Sequence, residues 1–401
     1  MFNSLKFKVI LFGFIFTFFS SFGQSYFLGL FNSSIRDALS ITHGQFGSIY
    51  ASATLCSSLL LIWVGKKIDD VNIFKFALFV IILLSFACFF FSKVSSVLLL
   101  FIAIFLMRFS GQGMMSHTAS TTISRYFTKT RGRALSISWF GLSSAEFIMP
   151  VLMVYLLTII DWQNLWLIFS ITVLIILPIA SFLLIKNLNL DSREDSNKDI
   201  KEVEIKQWKR AEVIKDYRFY IISSNMLAMP WIFTGFAVFQ SFIQTSKGWG
   251  PYVIAQSFMS YSIFSVLTLF LSGFLIDKFT SRKLLIYMNI PLLLSVIVLF
   301  FFDTPVTAFI FLGLVGISNG FANILGSSTW AELYGVKYLG SIKALTTALM
   351  VFATAFGTAL FGYLIDIGFS VGDIAVVSGS YIFISLILLF LVRKKLNPVI
   401  I

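Results

Sequence analysis

Long apolar runs separated by short polar loops make up nearly the whole chain, and the length of the runs decides the fold. An α-helix rises 1.5 Å per residue, so crossing a hydrocarbon core of about 30 Å takes about 20 apolar residues. Runs of that order fall at roughly 7–31, 44–64, 74–92, 96–122, 133–158, 164–186, 217–245, 251–275, 283–302, 304–328, 340–365 and 371–392. They predict an all-α integral membrane protein with twelve transmembrane helices. The first run follows Lys6 and Lys8 but extends to Phe31. That is too long for a signal-peptide core, and no small-residue cleavage site follows it, so it is expected to remain as a span.

Composition strengthens this picture. Of the 401 residues, 58% are hydrophobic and 12% charged, whereas a soluble domain carries about a quarter charged residues. Cys56 and Cys88 both lie in apolar runs, which suggests neither a disulfide framework nor a metal cluster. The formal charge of +12 does not point to nucleic acid, because the basic residues sit between spans rather than in a stripe with aromatics.

Those basic residues alternate. One set of loops holds Lys66, Lys67 and Lys75, then Arg125, Lys129, Arg131 and Arg133, then Lys278, Arg282 and Lys283, then Lys337 and Lys343. The N-terminal Lys6 and Lys8 and the C-terminal Arg393, Lys394 and Lys395 fall on the same side. The opposite loops carry only Arg36, Lys93 and Lys247. By the positive-inside rule both termini are expected in the cytoplasm, with the protein in the cell's inner membrane.

One long polar stretch, residues 187–216, divides the chain into an N-terminal six-helix bundle, 1–186, and a C-terminal one, 217–401. Its first part reads as linker. In its second part Ile200, Val203, Ala211 and Ile214 are spaced along one helical face, so a short amphipathic helix on the membrane surface and a solvated linker are both open.

The halves echo one another. Gly65-Lys-Lys-Ile-Asp69-Asp leaves the second span and Gly273-Phe-Leu-Ile-Asp277-Lys278 leaves the eighth, and Tyr126/Tyr334 and Gly132/Gly340 recur at the same offset. Two pseudo-symmetric six-helix bundles follow, as in many secondary transporters. The Gly-x-x-x-Asp-Lys pattern with Arg282 and Lys283 resembles the cytoplasmic loop signature of the major facilitator superfamily. The first copy departs from it, with Asp70 at a usually basic position and Asn72 replacing a glycine; the second has Thr280 at that glycine. The glycine-bearing first span, FGQSYFLGLF, and the eleventh, YGVKYLGSIKALTTALMVFATAFG, resemble the bacterial branch near monocarboxylate and oxalate/formate-type transporters. The resemblance implies alternating access by two bundles, a small-molecule substrate, no cofactor and a functional monomer. It assigns Gly65, Asp69, Gly273, Asp277, Lys278 and Arg282 to cytoplasmic gating.

Two ionisable residues lie deep in spans, Arg108 in the fourth and Glu146 in the fifth. Counting 1.5 Å per residue puts them roughly 18 Å from the outer and 20 Å from the inner end of antiparallel helices, at similar depth. Opposite charges at one depth are expected to pair, either as a packing element or as an anion site with a proton carrier. Arg108 to Gly113 resembles the Arg-x-x-Gln-Gly of superfamily antiporters with Gln112-Gly113 one residue late. Ala145 and Glu146 replace the Gly-Pro expected in an antiporter's fifth helix, which counts against export. Other candidates for the translocation path are Gln112, Gln24 and Tyr26, then Asn225 and Gln240 around a possible discontinuity at Pro230, then Asn319 and Asn323. His117 reads as a helix–helix hydrogen-bonding group.

No Walker lysine loop and no metal-ligand cluster occurs in the sequence, so an enzyme is not expected. The expected function is proton-coupled uptake of a small organic anion. A drug or metabolite efflux antiporter of the same architecture remains open, and a non-transporting sensor is remote because the linker is short.

Overall fold

The computed structural model of the protein describes residues 5–127, 130–186 and 206–399, apart from the side chains of Asp69, Arg131, Asp277 and Ser327. The gating carboxylates Asp69 and Asp277, and residues 187–205 of the linker, therefore lie outside the described residues.

Among the described residues twelve helices are long and apolar enough to span a membrane. In the first half they are α1 Leu5–Gly29, α2 His43–Ile68, α3 Ile73–Phe91, α4 Val97–Tyr126, α5 Gly132–Leu156 and α6 Trp162–Ile185. In the second half they are α7 Tyr217–Val238, α8 Val253–Ile276, α9 Ser281–Phe301, α10 Pro305–Tyr334, α11 Leu339–Asp366 and α12 Val371–Lys395. No strand occurs among the described residues. The chain forms two compact units, Met1–Lys198 and Asp199–Ile401.

The helices sort their side chains for lipid. On α6, Ile168, Ile171, Ile175, Ile179 and Phe182 form one exposed stripe at helical spacing, while Leu165, Trp166, Phe169, Val173 and Leu177 are buried. In water such a stripe would be a large apolar patch; against acyl chains it needs no partner. Polar side chains turn inward instead, as where Ser85 and Ser170 bond each other's backbone carbonyls, at 2.9 and 2.8 Å, and lock α3 to α6.

Glycines set the crossings. A methyl on Gly141 of α5 would strike the Phe14 carbonyl of α1, and one on Gly357 of α11 would strike the Trp231 carbonyl of α7. The first and fifth helices of each half thus cross backbone to backbone at one glycine, as small residues allow in membranes.

Two helices of the first unit are interrupted in mid-length. In α1 the α-helix ends at Ser20, a 3₁₀ turn covers Ser21–Gly23, and Gln24 is extended (φ −81°, ψ 151°) before Ser25–Gly29 resumes the helix. In α4 a π-helical segment, Arg108–Met115, separates two α-helical ones. In the second unit α7 runs through Pro230 without interruption and ends at Val238; Phe239 separates it from a further turn, Gln240–Ser246. The discontinuity expected at Pro230 therefore lies nine residues later. A proline removes one hydrogen bond and bends a helix, but packing inside a bundle can carry the helix past it.

Of the predicted surface helix, Ile200 and Val203 lie outside the described residues, and among the described ones Arg210–Val213 is helical. The rest of the described linker runs along the second unit. Lys206 N bonds Val399 O at 2.8 Å and Trp208 N bonds Tyr334 O at 3.0 Å, while Val213 is fully buried in the core beside Phe219, Leu333 and Ile342.

Candidate functional site

The irregular stretches of α1 and α4 meet. A methyl on Gly23 would strike Met107 O and Gln112 N of α4, and one on Gly111 would lie 2.7 Å from Gly23 N. Only two glycines permit this approach. It brings the Arg108 guanidinium to the carbonyl that the break in α1 leaves without a helical partner. Arg108 Nη1 donates to Gly23 O at 3.0 Å and to Ser25 Oγ at 3.3 Å. Its Cζ stands 5.4 Å from the centre of the Tyr50 ring, and Tyr50 Oη donates to Ser25 Oγ at 2.9 Å. A helix unwound over a cation and a π-segment at one crossing are both features of functional sites in membrane proteins.

Arg108 is 4% and Glu146 8% exposed. Among the described residues no ion pair joins them, and Arg108 Nε has no hydrogen-bond acceptor. The expected pairing is thus replaced by a different arrangement. Arg108 faces the break in α1 and Tyr50 of α2, while Glu146 lies within electrostatic reach of Tyr26. Equal depth fixes position along the axes but not the direction in which each side chain leaves its helix. Ser25 and Tyr26 are neighbours on one short helical piece, so that piece touches the cation and lies within electrostatic reach of the carboxyl.

The other predicted residues divide. Gln24 is the extended residue of the break, and Gln112 is half-buried in the π-segment beside Gly23. Asn225 is fully buried, its Nδ2 3.5 Å from Ser385 Oγ and its carbonyl accepting from Asn289 Nδ2 at 2.5 Å. It ties α7 to α12 and α9. Gln240 Nε2 donates to Ala237 O at 2.9 Å and borders a small apolar pocket of about 20 Å³ with Phe236, Trp249 and Phe311. Asn319 and Asn323 line a larger cavity of about 190 Å³ inside the second unit, bordered also by Phe233, Met288 and Trp330. That cavity brings together two predicted residues; Asn225 and Gln240 lie elsewhere.

On the predicted gating loops, Gly65 O lies 3.0 Å from His117 Nε2 and Ile68 O accepts from Arg125 Nη1 at 3.0 Å, so α4 holds the end of α2. Gly273 has open space beside it, and the Lys278 ammonium lies 5.3 Å from the Phe279 ring centre. Glu332 accepts from Ser281 N at 2.8 Å at the start of α9 and pairs with Arg282 Nε at 3.6 Å. Arg282 Nη1 also donates to Asn397 Oδ1 at 2.7 Å.

Gly23, Ser25, Tyr50 and Glu332 were not among the predicted site residues. A glycine and a serine flanking Gln24 inside an apolar run were the available signal for the first two; nothing local marks Tyr50.

Two like halves of six spans, with a broken helix over a buried cation, define a membrane transporter fold. A sequence profile of the Major Facilitator Superfamily matches residues 13–265, more than half of the chain. The protein belongs to that superfamily and is a multi-pass membrane transporter, not an enzyme. No curated relative matches it in sequence. Its fold is similar to that of a bacterial homologue of the human lysosomal transporter Spinster, solved inward-facing and unoccupied: TM-score 0.73, 15% identity, 98% of each chain covered. The occupied state of that homologue gives a TM-score of 0.68 at 15% identity, covering 97% of this chain and 96% of the other. The nucleoside transporter NupG gives 0.68 at 14% identity, over 98% of this chain and 99% of its own. Members of the superfamily carry small molecules and work as monomers.

Proposed function

We propose that the protein takes up a small organic anion together with protons, in the inner membrane with both termini cytoplasmic, as its resemblance to carboxylate transporters implies. The observation that carries this reading is Arg108, a buried cation without a carboxylate partner among the described residues. An arginine deep in a span costs roughly 2.5–3.5 kcal/mol on insertion scales. Contact with the Tyr50 face offsets about 1–2 kcal/mol, and the bonds to Gly23 O and Ser25 Oγ satisfy one nitrogen. A negative group from outside completes the set.

The short piece Ser25–Gly29 then couples anion to proton. An anion at Arg108 draws the guanidinium from Ser25 Oγ, which frees the piece to move Tyr26 relative to Glu146. Glu146 makes no ion pair among the described residues, and a carboxyl in low dielectric is stable there once a proton neutralises it. The loaded and protonated carrier changes access. The loops around Gly65, Asp69, Gly273, Asp277, Lys278 and Arg282 gate the cytoplasmic side, supported by the contacts of His117, Arg125 and Glu332 at those helix ends.

The test is uptake of labelled lactate and nicotinate into proteoliposomes, measured against protein-free liposomes with and without an inward pH gradient. Protein-dependent uptake of either acid that a protonophore abolishes supports the reading. Protein-dependent uptake indifferent to the gradient contradicts the coupling, and uptake of neither acid contradicts the organic anion.

A further inference from the structure

The cavity of the second unit has a chemistry opposite to that around Arg108. Among the described residues none that lines it is ionisable. Four methionines border it, Met226 and Met229 of α7, Met288 of α9 and Met350 of α11. Thioethers are polarisable, adapt to shape and favour aromatic partners. Two walls are flat and held in place. The Phe233 ring lies parallel to Tyr261 (4.9 Å between centres, 6° between planes), and Trp330 stacks on Tyr334 (5.9 Å, 11°).

The polar complement is a pair of carboxamides one turn apart on α10. Asn319 commits its Nδ2 to Ser265 Oγ at 2.9 Å. Asn323 is exposed to the cavity and makes no side-chain hydrogen bond to a described residue. A carboxamide presents a donor and an acceptor side by side. It therefore pairs with a planar edge that presents the complementary acceptor and donor, as an amide, a lactam or a nitrogen heterocycle does. A cavity volume of about 190 Å³ leaves room for a single substituted ring, since one water needs only about 10–15 Å³ on the same measure.

We infer that this cavity binds the uncharged part of the substrate, and that this part is a planar heteroaromatic or amide-bearing ring whose polar edge meets Asn323. The inference rests on the proposed transport of an organic anion, to which it adds the class: an anion that also carries such a ring. Short aliphatic acids lack the ring and leave the methionines and the two flat walls without a partner.

The test is thermal unfolding of the purified full-length protein with three probes: nicotinate (ring and charge), nicotinamide (ring without charge) and lactate (charge without ring). Both ring compounds raise Tm, nicotinate more than nicotinamide, and lactate raises it least. Asn323→Leu leaves the unliganded Tm in place, because the side chain is exposed and makes no described hydrogen bond. It weakens both ring compounds about tenfold, the loss of an amide hydrogen-bond pair, and leaves lactate unchanged. Stabilisation by lactate alone, by none of the probes, or by ring compounds undiminished in Asn323→Leu, overturns the inference. Nicotinamide stabilising as well as nicotinate, with Asn323→Leu weakening both, upholds the ring site and overturns the anion reading instead.

Discussion

The Arg108 guanidinium donates to the Gly23 carbonyl at 3.0 Å, across the crossing of two helices that both lose regular winding at that point. This bond joins the break in α1 to the π-segment of α4, and the site is built around it.

The crossing sets a steric prediction. Gly23→Ala places a methyl against Met107 O and Gln112 N, which are backbone atoms and cannot swing away. Overpacking of this kind costs about 1–3 kcal/mol, so the Tm of the purified protein falls and transport falls with it. Gly132→Ala is the contrast. Its methyl meets nothing within 4 Å at the start of α5, and alanine's helix propensity stabilises by up to about 1 kcal/mol. Equal losses in the two variants would contradict the assigned crossing.

Tyr50 separates two contributions. Tyr50→Phe keeps the ring under Arg108 and removes the hydroxyl that donates to Ser25 Oγ, costing about 1 kcal/mol. Tyr50→Leu removes both and costs a further 1–2 kcal/mol or so through the lost cation–π contact. The ratio of Kd values for nicotinate, measured by titration calorimetry, is expected to rise in the order wild type, Phe, Leu. A Phe variant as impaired as Leu would place the contribution in the hydroxyl alone.

The described end of the linker makes the second unit's ion pairs testable. Arg218 and Asp216 pair at 2.8 Å with side chains 11% and 4% exposed, and Arg218 Nη1 also holds Asn397 O at 2.8 Å. Arg218→Ala leaves a buried carboxylate unpaired, a loss of about 3–5 kcal/mol. Arg218→Lys rescues little, since an ammonium cannot reproduce the planar fork. Lys206→Ala breaks a pair whose side chains are 38% and 40% exposed and costs little, because solvent screens it. Thermal unfolding reads all three, and a Lys206 loss equal to that of Arg218 would contradict the ranking.

The twelve spans were legible because a lipid core imposes a length on apolar runs, and an apolar run is a local signal. The two like halves were legible from residues recurring at one offset. Arg108 and Glu146 stood out as charges in apolar runs, but their partners did not. Rise per residue gives depth along a helix, whereas the partner depends on the direction in which the side chain leaves it. For Arg108 that direction is tied to a π-segment and a glycine crossing, both products of tertiary packing. Asn225 looked like Asn323 in sequence, each being an amide in an apolar helix. Only the packing distinguishes the fully buried one that joins three helices from the one exposed to a cavity. Pro230 misled for the same reason, since α7 continues through it and ends at Val238.

The most direct test of the central claim is nicotinate-driven proton movement in proteoliposomes containing wild type or Glu146→Gln. Wild type is expected to carry protons inward with the anion. In Glu146→Gln that proton flux is lost, while exchange of labelled for unlabelled nicotinate across the membrane persists. A Glu146→Gln protein with undiminished nicotinate-dependent proton flux would contradict the claim.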